Sequence, residues 1–331
     1  MKKINLLLAG ILFILLSCSS QKQNGKSIAV FVPGIMADSP VYAMLAEGVT
    51  KAVDEFNLPK ADAEKVSCYI LEAGTNQAEW GTKLLALAAE QKYDVIISSN
   101  PSLPDLAVPI LEAYPNQKFI LLDAEYSGNS NIYTACYNQY EQSYLTGLIA
   151  GKMSRTGKVA LVAAQEYPVM NNVIYPYFEK GAAESNATCE FRIVGNWYDA
   201  NKSAVITDSL INEGVDVILP ICGGAAQGVI NSAVNGGAYI TWFDNNGFAR
   251  APGTIISSTI MKQDVMSALA TQNYLNDKTK WGAAEMYGIR DGFIDFVQDD
   301  PLYISAVPED IRNEMAAAIA DLKSGKLVIS R

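Results

Sequence analysis

The stretch Ala238–Gly247, A-Y-I-T-W-F-D-N-N-G, decides how the chain is read. It opens with the apolar, β-branched and aromatic residues of a buried strand, then runs into an acid, Asp244, and a turn. Lys118–Gly128, K-F-I-L-L-D-A-E-Y-S-G, repeats the pattern with Asp123 in the matching place. Each copy follows another apolar run, Tyr93–Asn100 (Y-D-V-I-I-S-S-N) and Val215–Gly224 (V-D-V-I-L-P-I-C-G-G). One Asp after a strand is an ordinary turn former. Two copies, each ending a strand on a carboxylate, point to two similar lobes facing one ligand.

Working outward, strands and helices alternate on both sides of these stretches. Strands are expected at Ser27–Pro33, Lys65–Leu71, Tyr93–Ser98 and Lys118–Asp123, with helices at Val41–Phe56, Thr82–Gln91 and Pro101–Tyr114. Gln139–Ser154 reads as an amphipathic helix carrying the chain to a second lobe. There the scheme recurs: strands at Lys158–Ala163, Cys189–Val194, Val215–Ile221, Ala238–Phe243 and Thr254–Ile260, helices at Val169–Ser185, Lys202–Glu213, Ala226–Asn235 and Lys262–Leu275. Strands after Trp281 are expected to cross back, followed by a helix at Pro308–Leu322. The fold class is therefore α/β, two lobes with mostly parallel sheets flanked by helices and right-handed connections. The expected divisions are 27–138 for the first lobe, 139–275 for the crossover and second lobe, and 276–331 for the returning segment.

The N-terminus has the grammar of a targeting segment. Lys2 and Lys3 precede an apolar run, Ile4–Leu16, too short for a bilayer-spanning helix of about 20 residues. Leu15–Cys18, L-L-S-C, resembles a lipobox, which would make 1–17 a signal peptide, Cys18 the lipidated residue and 18–26 a tether; a plain signal peptide is the alternative. Removing 1–17 takes two lysines and no acids, leaving 23 basic against 35 acidic side chains, a net of −12. Nucleic-acid binding requires a positive stripe, so the balance argues against that class. Cys68, Cys136, Cys189 and Cys222 are far apart with no C-x-x-C, and are read as buried thiols, with a disulfide left open. The chain has no histidine. That removes Ser-His-Asp and Cys-His catalysis and every zinc site needing imidazole. No catalytic residue, metal or cofactor is expected.

In open parallel sheets ligands sit outside the carboxyl ends of the strands. There the sequence places Asp38, Tyr42, Asn100, Asp123 and Tyr126, then Gln165, Glu166, Trp197, Asp199, Gly223, Gly224 and Asp244. Aromatic faces suit a flat heterocycle, and carboxylates accept from hydroxyls and ring N–H groups. Such a set fits a nucleoside better than a phosphate. The glycines at Gly223–Gly224 form neither a P-loop nor G-x-G-x-x-G, and read first as a tight strand-to-helix turn.

Four stretches carry a family resemblance: Q-S-Y-L-T-G-L-I-A-G-K-M-S-R-T-G-K-V at Gln142–Val159, V-G-N-W-Y-D-A-N-K at Val194–Lys202, V-D-V-I-L-P-I-C-G-G-A-A-Q-G-V at Val215–Val229, and W-F-D at Trp242–Asp244. Together they resemble the basic membrane protein family of bacterial lipoproteins, which includes purine nucleoside-binding members, over nearly all of Ser27–Leu327. The resemblance implies a type I periplasmic-binding fold, lipid-anchored outside the cytoplasm, that closes by a hinge on its ligand and works with an ABC permease and ATPase. It implies Tyr42 and Trp197 as stacking rings and Asp123, Asp244 and Lys262 as main polar contacts, with Asp38 and Asn100 nearby. Where nucleoside binders show an Asp, a short polar turn and Phe-Asn, this chain has A-D-S-P-V-Y at Ala37–Tyr42. Another flat heterocycle such as riboflavin, or a surface or sensory lipoprotein contacting another protein, remain as alternatives.

Overall fold

The computed structural model describes residues 25–329. The expected signal peptide, Cys18 and all but the end of the tether lie outside the described residues.

The first lobe is built from β1 (Ser27–Val32), α1 (Pro40–Asn57), β2 (Ser67–Glu72), α2 (Trp80–Ala89), β3 (Val95–Ser99), α3 (Leu103–Ala113), β4 (Lys118–Leu122) and β5 (Ile132–Tyr137). The second repeats it with β6 (Lys158–Ala163), α5 (Tyr175–Ala183), β7 (Thr188–Ile193), α6 (Ala200–Asn212), β8 (Val217–Ile221), α7 (Ala226–Gly236), β9 (Tyr239–Trp242) and β10 (Ile255–Met261). The sheets run β2-β1-β3-β4-β5 and β7-β6-β8-β9-β10, all parallel, so the internal echo in the sequence is a topological one. Inner strands such as β3 are buried along their whole length, because helices cover both faces. In β1 the side chains of Ile28, Val30 and Val32 face one core, while Ala29 and Phe31 face another with Trp80, Leu84 and Phe119. The edge strands β2 and β7 are only partly covered.

Three segments join the lobes. The helix α4 (Gln139–Met153) carries the chain from β5 to β6. From β10 the helix α8 (Gln263–Leu275) leads back to β11 (Ala284–Tyr287), which adds a sixth, parallel strand beside β5. The chain then crosses again to β12 (Ile294–Phe296), antiparallel to β10, before α9 (Pro301–Ala306) and α10 (Glu309–Ser324). The returning strands and the final helix lie where the sequence suggests.

Four local readings are corrected. Ile132–Tyr137, I-Y-T-A-C-Y, given no element from sequence, is a further buried strand of the first lobe lacking polar alternation. The helix α4 is not amphipathic; all its residues but Lys152 are buried, between α5, α10 and the second sheet. The helix α8, assigned from sequence to the second lobe, packs on α1 of the first, where Gly48 meets Ser267 and Asp264 so closely that a Cβ would stand 2.1 Å from both. Finally, the helix expected over Val169–Ser185 begins with a wide π turn, Met170–Ile174. Pro176 explains it: without an N–H it cannot bond the carbonyl of Asn172, and the chain widens one turn earlier.

Candidate functional site

Asp123 follows β4 and Asp244 follows β9, the same strand of each lobe. Both adopt left-handed backbone, with φ of 51° and 71°. Asp tolerates that region better than most residues because its short side chain can bond locally. The kink turns each carboxylate off the sheet end. Each is then held by a glutamine of α4: Gln139 Nε2 donates to Asp123 Oδ1 (3.2 Å) and Gln142 Nε2 to Asp244 Oδ1 (3.3 Å). Three residues apart on one helix face, the two amides reach one carboxylate per lobe. Gln142 Nε2 also donates to Thr259 Oγ1 of β10 (3.3 Å), and Gln139 Nε2 approaches Met261 Sδ (3.6 Å).

Both carboxylates keep a little solvent contact but stand deep among protein atoms. Burial first, and then the neighbouring Asp244 charge, push Asp123 up to about 8. Burial also raises Asp244, to about 6, against the lowering effect of the Gln142 amide. Burial, and after it the two carboxyls, raise the surrounding tyrosines as well. Tyr42 is pushed up to about 12, by burial first, against the lowering Asn100 bond and with a further push from Asp123. Tyr167 and Tyr137 are raised by burial and then by both carboxylates, with Asp264 adding to the effect at Tyr137. Each of these phenols is therefore neutral and able to donate or accept.

On the first lobe, Asn100 Nδ2 donates to the Tyr42 hydroxyl (3.1 Å), while its own oxygen accepts from the backbone and hydroxyl of Ser102. The Tyr42 ring lies against Gly34, where an added Cβ would come within 2.7 Å of it. On the second lobe, Trp197 sits over the Gly223 turn, 3.1–3.3 Å from where a Cβ would stand, and Gly223 has a φ of 57°. Both facts require glycine there. Tyr167 tilts toward Trp197, ring centroids 6.4 Å apart. The indole N–H of Trp197 and the Gln142 carbonyl oxygen are buried without a partner among the described residues. Buried polar atoms are rarely left so, and both belong to this cluster.

The structure thus brings together Tyr42, Asn100, Asp123, Trp197, Gly223 and Asp244. Lys262 begins at the same sheet end, after β10, but its ammonium pairs with Asp295 of β12 (3.3 Å). For Asp38 only the backbone is described, in a short 3-10 turn. Tyr126 packs on the outer core of the first lobe, and Asp199 caps α6 by accepting from Lys202 N. Sequence reasoning missed Tyr167, Tyr137, Gln139 and Gln142. The signal for the glutamines was their spacing of three at the start of the crossover helix. The four described cysteines are free thiols, Cys136 and Cys222 buried, Cys68 and Cys189 half-buried.

Among the described residues no helix is long and apolar enough to cross a membrane, and no cluster of His, Cys, Asp or Glu could hold a metal ion. Similar folds occur in an ABC transporter solute-binding protein from Aeropyrum pernix (TM-score 0.76, 18% identity, 92% of this chain and 94% of that one) and a transcriptional activator of the comK gene from Bacillus halodurans (TM-score 0.72, 22% identity, 92% and 100%). In sequence the chain is 26% identical over 326 residues to basic membrane protein A of Borreliella burgdorferi, covering 95% of this chain and 92% of that protein. It is 22% identical over 265 residues to the ABC transporter nucleoside-binding protein BmpA of Lactococcus lactis, covering 73% and 72%. Residues 25–327 match the Bmp family, described as ABC transporter substrate-binding protein PnrA-like, and to that family this chain belongs.

Proposed function

We propose that this chain is an extracytoplasmic, lipid-anchored receptor that binds a purine nucleoside between its lobes and delivers it to an ABC permease and its ATPase. The observation that carries this reading is the pair Asp123 and Asp244. One comes from each lobe, both are deep, neither has a basic partner among the described ion pairs, and Tyr42, Tyr167 and Trp197 surround them. A phosphate would meet the charge of Asp244 with no cation to offset it. A neutral ring edged with N–H and O–H donors would meet acceptors, with aromatic faces beside them. The unpartnered Trp197 N–H and Gln142 oxygen offer one further donor and acceptor. The Lactococcus relative named as nucleoside-binding supports the same ligand class.

Each lobe holds half of the polar set, so a ligand contacting both carboxylates stabilises the closed over the open arrangement, and closure about the three connecting segments follows. The anchor would be Cys18. The protein is read as a carrier that performs no chemistry on its ligand, in keeping with the substrate-binding family to which it belongs.

Calorimetric titration of the protein lacking residues 1–18 with adenosine, guanosine, inosine and riboflavin tests the reading. Binding of at least one nucleoside, weakened about 100-fold by Asp244→Ala, is the expected result. Binding of riboflavin alone would reassign the ligand. Binding of none would favour a lipoprotein that contacts another protein.

A further inference from the structure

A cavity opens beside Asp123. It is a crevice of about 350 Å³ between the lobes, within the size range of small-molecule sites. Of the residues expected at the ligand, only Asp123 lines it; Tyr42, Trp197 and Asp244 do not. From the first lobe come Asp123, Glu125 and Tyr137, and from the second Pro168, Val173 and Tyr177. Gln139, the amide that holds Asp123, lines the crevice as well.

The second-lobe wall is the π turn Met170–Ile174. Wide turns of this kind inside helices recur at functional sites, where they re-aim side chains. Here the turn presents Asn172 and Val173 to the crevice. The lining is an apolar body of prolines, valines and tyrosine rings with a few polar tips. Its acidic side chains are Asp123 and Glu125, and no Lys or Arg lines it. Such a surface admits an apolar or hydroxylated group and rejects an anion.

We propose that this crevice is a substituent subsite, continuous with the nucleoside position through Asp123, so that the preferred ligand is a nucleoside bearing an uncharged apolar group. This rests on the nucleoside reading above. It extends that reading from a bare nucleoside to a ring with an appendage, and Asp123 serves both parts. The rings and Asp244 grip the heterocycle, and the crevice selects what hangs from it.

Titrations with adenosine, N6-benzyladenosine, a 5′-O-benzyl adenosine and the N6-(4-carboxybenzyl) analogue test it, in wild type and in Val173→Trp, which fills the crevice. At least one neutral benzyl derivative should bind about tenfold or more tightly than adenosine, since each buried CH₂ contributes about 0.8 kcal/mol. Val173→Trp should erase that gain and leave adenosine unchanged, and the carboxylated analogue should show no gain. Met286→Trp, on the more exposed first-lobe side, provides a second plug if Val173→Trp fails to fold. Neutral derivatives that bind no better than adenosine, or a gain that survives both plugs, would overturn the subsite while leaving the nucleoside reading intact. No binding by any of the compounds, adenosine included, would remove the reading and the subsite together.

Discussion

The two lobes share one topology and differ in what they bring to the cleft. In each, the fourth strand of the sequence repeat ends on an aspartate in left-handed backbone, and each aspartate takes a hydrogen bond from α4. The first lobe adds Tyr42 and Asn100; the second adds Trp197, Tyr167 and the Gly223 turn. The carboxylates differ as well. Asp123 feels Asp244 and is raised to about 8, whereas Gln142 restrains Asp244 at about 6. A duplicated scaffold thus supplies two equivalent carboxylate positions, and local neighbours make them unequal.

After the loss of Asp244 itself, the largest effect should come from the aromatic side of that inequality. Trp197 rests on a glycine turn and keeps a buried N–H with no partner among the described residues, so Trp197→Ala removes both a ring face and a donor. Nucleoside affinity measured by calorimetry should fall about 30-fold or more, with Tyr42→Phe, which keeps the ring, losing less than about tenfold. Equal losses would mean that the lobes share the stacking more evenly than the geometry indicates.

Asp123 sharpens the comparison through pH. Its folded value of about 8 lies above the ordinary value near 3.9, so the folded state holds a proton that the unfolded state releases. Stability should therefore fall as pH rises from about 4 through about 8. Asp123→Asn removes that slope and should raise the stability of the ligand-free protein by about 1–3 kcal/mol at pH 8, read by urea denaturation at several pH values. At pH 4, where Asp123 is protonated in the folded state and about half protonated in the unfolded one, most of that difference should be gone. A slope unchanged by the substitution would contradict the buried environment assigned to Asp123.

The smallest effect separates the glutamines. Gln142 holds Asp244 down by its hydrogen bond, and no such lowering by Gln139 is resolved at Asp123. Gln142→Leu should shift the Asp244 titration upward and weaken nucleoside binding about threefold to tenfold at pH 6, with the loss shrinking as pH rises. Gln139→Leu should leave the pH profile in place. NMR titration of the carboxylate carbons in both variants checks the difference.

These particulars show where the sequence was legible. The aspartates were visible because each closes a buried β run and the run occurs twice. The parallel sheets followed from alternation, since strands separated by helices leave few other topologies. The glutamines were not visible: α4 is buried on nearly all sides, so its polar residues gave no solvent face to read, and their partners lie in strands that only the folded chain brings near. Tyr167 follows β6 as one aromatic among 17 tyrosines, and nothing local marks it. The placement of α8 on α1 depends on Gly48, whose close approach has no signature along the helix. The π turn was legible in principle, because Pro176 stands within the helical pattern.

The central claim is that carboxylates from opposite lobes hold one ligand. A double-mutant cycle in nucleoside affinity tests it directly, with Asp123→Ala, Asp244→Ala and the pair, measured at pH 8 in the protein lacking residues 1–18. Removing either should open the cleft that both close, so the account predicts a loss in the double variant smaller than the sum of the single losses by about 1 kcal/mol or more. Strictly additive losses, or a nucleoside affinity indifferent to either aspartate, would contradict it.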